Sequence, residues 1–74
     1  MEATKIKILK FIDSKQLDYA SITQVTDFFD ETDSTVIRNL LGELQLDRYL
    51  KFTMGHYIIT QVGRDAARNR VWIY

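Results

Sequence analysis

Seventy-four residues are enough for one small domain and too few for two, because a core of this size sits close to the lower limit of independent stability. Hydrophobic residues at 46% and charged residues at 27% exclude an intrinsically disordered composition, and the lack of cysteine in this sequence excludes disulfides and thiolate metal sites. Ten Lys and Arg balance ten Asp and Glu, so net charge alone points to no partner.

From Thr4 to Lys15 the apolar residues Ile8, Leu9, Phe11 and Ile12 recur at the spacing of an amphipathic helix, with lysines on its outer side. Lysines interleave with aliphatics there, so no apolar run reaches the length of a signal peptide or membrane span; a cytoplasmic chain with no membrane attachment is expected. Gln16 to Ala20 reads as a connection. Ser21 followed by Gln24 has the S-x-x-Q form of a capping box, opening a second helix that runs to about Phe29 and buries Ile22, Val25 and either Phe28 or Phe29.

Asp30 to Asp33 forms a polar turn, with Asp33 as N-cap of a third helix. On that helix Ile37, Leu40, Leu41 and Leu44 share one face, and Ser34, Thr35, Arg38, Asn39 and Gly42 share the opposite one. A glycine inside a helix costs about 1 kcal/mol relative to Ala, and Gly42 is therefore read as a mark of close approach by another backbone or a phosphate, or as tolerated without a role. The helix should stop near Asp47 and Arg48. Tyr49 to Thr53 alternates as a strand, Met54 to His56 supplies a turn around Gly55, and Tyr57 to Thr60 is the returning strand. Thr60 is a candidate N-cap for a last helix from Gln61, with Ala66 and Ala67 on its packing side and Gly63 weakening it.

The order of these elements and their wording resemble a winged helix-turn-helix domain of the kind found in small bacterial, archaeal or phage transcriptional regulators. The residues carrying the resemblance are Ile37-Arg-Asn-Leu-Leu-Gly-Glu-Leu44, Asp47-Arg-Tyr-Leu50, and Tyr57-Ile-Ile-Thr60 with Gly63, within a stretch from Ser21 to Arg68. It implies a single α+β domain over residues 1–74: a three-helix core, a short β-hairpin wing and a C-terminal helix. It also implies duplex DNA as partner, with the third helix in the major groove. Ser34, Thr35, Arg38 and Asn39 then face base edges, where Arg38 can bond guanine and Asn39 adenine, each bidentately. Lys51, His56, Arg64, Arg68 and Arg70 are the candidates for phosphate and wing contacts. The family's usual glycine after the third helix is Arg48 here, which must turn left-handed or end the helix differently.

Charge is arranged in blocks. Residues 1–15 carry +2, residues 16–47 carry −6 with Arg38 as their one cation, and residues 48–74 carry +4. The acidic block motivates a competing expectation, a winged-helix protein-interaction module that does not bind DNA, with Asp27, Asp30, Glu31 and Asp33 as the patch for a basic protein partner. Those four carboxylates lack the spacing of a calcium loop, and a single histidine with no cysteine assembles no catalytic triad, so no enzyme, cofactor or metal is expected. The apolar tail Val71-Trp72-Ile73-Tyr74 either folds back on the core or joins a second subunit; in the latter case Ala67, Val71, Trp72 and Tyr74 form a homodimer interface.

Overall fold

The computed structural model describes residues 3–15 and 18–68. The elements run α1 (Ala3–Asp13), β1 (Tyr19–Ser21), α2 (Ile22–Phe28), α3 (Ser34–Leu46), β2 (Leu50–Thr53), β3 (His56–Ile59) and α4 (Gln61–Arg68). The described residues thus form a small α+β domain of four helices and one antiparallel sheet of three strands in the order β1-β3-β2.

The helical periodicities converge on one core. Ile8, Leu9 and Ile12 of α1, Val25 of α2, and Ile37, Leu40, Leu41 and Leu44 of α3 are buried together with Leu50, Tyr57 and Ile59 of the sheet. Full burial of one such aliphatic side chain stabilises by roughly 1.5–3 kcal/mol against the entropy of ordering it. No polar or charged residue is buried among the described residues, so the core carries no desolvated charge. Of the two phenylalanines ending the second helix, Phe29 packs against the core and Phe28 is 61% exposed.

Strand β1 occupies part of the segment expected to be a mere connection. Its three residues allow only one alternation of facing, too little for a strand signature, and its existence depends on β3, thirty-odd residues away in a register that pairs Tyr19 with Ile58, Ala20 with Tyr57 and Ser21 with His56. Asp18, at φ 58°, turns the chain into it, and the Asp18 carbonyl accepts a bond from Ile59 N–H at 3.1 Å.

The helix ends are set by local chemistry. Ser21 Oγ accepts from Gln24 N–H at 3.2 Å while Gln24 Oε1 accepts from Ser21 N–H at 2.8 Å, the reciprocal pair of a capping box. Asp33 Oδ1 accepts from Thr35 N–H at 2.8 Å and caps α3. At the far end Arg48 takes φ 68°, with Arg48 N–H bonded to the Gln45 carbonyl at 3.0 Å and Tyr49 N–H to the Leu44 carbonyl at 2.9 Å. That is a Schellman closure built on arginine where glycine is the usual residue. The hairpin turn is shorter than expected: Met54 at φ 51° and Gly55 at φ 82° form a two-residue type I′ connection, and His56 already belongs to β3.

Thr60 joins three segments. Its Oγ1 lies 2.7 Å from the Arg48 carbonyl, to which it donates, and accepts from Gly63 N–H at 3.1 Å, while its own N–H donates to the Tyr49 carbonyl. The expected N-cap is therefore also the clamp between the end of α3 and the start of α4.

Candidate nucleic-acid interface

Burying the aliphatic face of α3 forces its polar face outward. Ser34, Thr35, Arg38 and Asn39 are all exposed, and no side-chain hydrogen bond or ion pair among the described residues engages Arg38 or Asn39. A β-carbon added at Gly42 would meet nothing within 4 Å, so among the described residues no other element's backbone approaches it. It opens a shallow depression of about 550 Å³ lined by Arg38, Asn39, Gln45 and Leu46 among others.

Gln45 and Leu46 extend the same exposed face and were not among the sequence candidates. Gln45 stands seven residues after Arg38, two helical turns further along the same stripe, which is the signal that could have found it. Beyond it, Gln45, Arg48, Lys51 and Phe52 line a cleft of about 350 Å³ between the end of α3 and the hairpin. Lys51, on β2, is thus brought beside the end of α3, and Arg48 joins it as a second exposed cation, placed there by the helix-ending turn.

The remaining basic candidates have other duties. Arg64 pairs with Asp18 and also lies 3.7 Å from Asp13, while Arg68 grips both oxygens of Asp13 through Nε and a terminal nitrogen, each at 2.8 Å. These pairs tie α4 to the end of α1 and to the turn that leads into β1, and the Asp13 carboxylate holds the Arg68 guanidinium above its usual pKa. Both arginines are engaged by carboxylates of their own chain. His56 is half-buried; its ring meets Tyr19 edge-on at 4.8 Å and its Nδ1 faces the Met54 carbonyl at 3.1 Å, so it serves the hairpin turn. Ala67 is 3% exposed and packs within the core, so it is not available to a second subunit. Arg70, Val71, Trp72 and Tyr74 lie outside the described residues.

The acidic block is partly neutralised from outside itself. Glu43 pairs with Lys5 at 2.6 Å and Asp18 with Arg64, leaving Asp27, Asp30, Glu31, Asp33 and Asp47 as the carboxylates near α2 and α3. Among the described residues no group of three or more His, Cys, Asp or Glu is placed to hold a metal ion, and no helix is long and apolar enough to cross a membrane. Comparison of the chain with protein-family models, curated proteins and solved structures finds no match.

Proposed function

We propose that this domain is a winged helix-turn-helix module that binds duplex DNA, acting as a small cytoplasmic transcriptional regulator with no catalytic step and no cofactor. The observation that carries the reading is the outer face of α3, where Arg38 and Asn39 stand exposed and unengaged with Ser34 and Thr35 one turn earlier. The succession of α2, α3 and the β2–β3 hairpin supports the same reading, since it supplies a supporting helix, a reading helix and a wing. With α3 in the major groove, Arg38 bonds guanine O6 and N7, Asn39 bonds adenine N6 and N7, and Arg48 and Lys51 meet the phosphates beside the groove.

The test is titration of mixed-sequence duplex DNA at about 50 mM salt, where phosphate attraction is strongest. Binding with chemical-shift changes centred on residues 34–46 and Lys51 is the expected result. No binding at that salt overturns the reading.

A second reading, a protein-docking module on the same fold, is favoured by one specific observation: α3 also exposes Val36 (44%) and Leu46 (83%), and the turn before it displays Asp30 and Glu31. Under that reading a basic protein with apolar anchors, in place of DNA, produces the shifts along α3.

A further inference from the structure

The tip of the hairpin combines two unfavourable features in one residue. Met54 sits at φ 51° in the type I′ turn, a conformation that asparagine or glycine adopts at lower cost, and its side chain is left 92% exposed. So little of it is covered that packing within the described residues does not explain an apolar residue there. Backbone strain that the fold itself does not require concentrates at contact sites.

Two residues back on β2, Phe52 is 42% exposed with its ring 4.7 Å from that of Tyr57, and it lines the cleft with Gln45, Arg48 and Lys51. Exposed apolar area thus continues from the tip toward the cations at the end of α3. From Arg48 to Arg64 the sequence contains no carboxylate, whereas the turn before α3 carries Asp30, Glu31 and Asp33. The hairpin is therefore a segment that can approach a phosphate backbone without like-charge repulsion from its own residues.

We infer that Met54 is an apolar wedge that enters the minor groove and partly unstacks one base step, so that the preferred duplexes carry flexible pyrimidine–purine steps. The inference rests on the DNA-binding reading and deepens it. With Lys51 on the phosphates beside the major groove, Met54 lies three residues further along the hairpin, about 10 Å at the rise of a β-strand. That distance carries it across the phosphate strand to the adjacent minor groove. An unbranched thioether side chain is flexible enough to follow a step as it opens. TA and CA steps unstack most readily, and a wedge between base pairs bends the duplex by about 20–90°. The domain then discriminates sequences at a position where it makes no base-edge hydrogen bond, in addition to those that Arg38 and Asn39 face.

The experiment uses two duplexes of about 20 base pairs, end-labelled with donor and acceptor dyes, one with central TA steps and one an A-tract, titrated with the full chain at about 50 mM salt. Wild type should bind the TA duplex about tenfold more tightly and raise its energy transfer, because bending brings the ends together. Met54→Asn, which suits the turn, should lose the bend and the preference while keeping the A-tract affinity. Met54→Leu, apolar and of similar size, should keep both. A wild-type complex with unchanged energy transfer, a Met54→Asn complex bent as strongly as wild type, or a Met54→Leu complex that behaves as Met54→Asn overturns the wedge and leaves DNA binding standing. Binding of wild type to neither duplex overturns the wedge together with the DNA-binding reading.

Discussion

A β-carbon on Gly63 would collide with the backbone carbonyl of Tyr49 and stand 2.8 Å from Cγ1 of Ile59. The contact is between the first turn of α4 and the segment leaving α3, and backbone cannot yield as a flexible side chain can. Gly63→Ala should destabilise by roughly 3 kcal/mol, the upper part of the range for overpacking. The same substitution at Gly42, with open space around it, should stabilise by about 1 kcal/mol through helix propensity. Urea unfolding of both variants checks the pair, and equal signs would refute this account of the two glycines.

Two left-handed positions occupied by non-glycine residues are open to relief. Arg48→Gly should stabilise by about 1 kcal/mol, because the αL conformation costs an L-residue about that much and glycine nothing comparable. Met54→Asn should gain about 0.5 kcal/mol, since asparagine before glycine is favoured in a type I′ turn and the exposed Met54 side chain has little packing to lose. Thermal melts measure both. The Arg48 variant carries a second readout: if Arg48 contacts phosphate, the slope of log affinity for DNA against log salt should fall by about 1 even as stability rises.

The parts of the fold that were legible in the sequence are those with local causes. The aliphatic stripe of α3, the Ser21–Gln24 capping box, the Asp33 and Thr60 caps and the hairpin all follow from residues a few positions apart. Strand β1 was not legible, because Tyr19, Ala20 and Ser21 become a strand only by pairing with β3. The same distinction governs the site. Exposure of Arg38 and Asn39 follows from helical periodicity. The engagement of Arg64 and Arg68 depends on Asp13 and Asp18 arriving from the other end of the chain, 46 to 55 residues away, and no spacing rule gives that.

Burial of the Tyr57 phenol gives an alkaline signature. The side chain is 8% exposed, its ring lies 4.7 Å from that of Phe52, and desolvation raises its pKa above the ordinary 10.0. Between the unfolded and folded pKa values the folded chain holds a proton that the unfolded chain has released. The contribution is therefore fully present below about pH 10 and is lost as pH rises through the folded pKa. Tyr57→Phe should remove this component, so urea midpoints of the variant should fall less steeply above about pH 10 than those of the wild type. Parallel slopes would mean that the phenol does not contribute.

Arg38 separates the two functional readings most sharply, because its removal should leave the fold alone. The side chain is exposed and makes no ion pair among the described residues, so Arg38→Ala should change unfolding free energy by no more than about 0.5 kcal/mol. On a cognate duplex the same change should cost about 1–3 kcal/mol at one base position and relax the preference there, because a bidentate contact to guanine is lost. Lys51→Ala should instead weaken all sequences alike and flatten the salt dependence, as loss of a phosphate contact does. The comparison separates direct base reading from electrostatic attachment, since both variants remove one positive charge. If Arg38→Ala and Lys51→Ala weaken every duplex equally, Arg38 contacts phosphate and the exposed face of α3 is not reading bases.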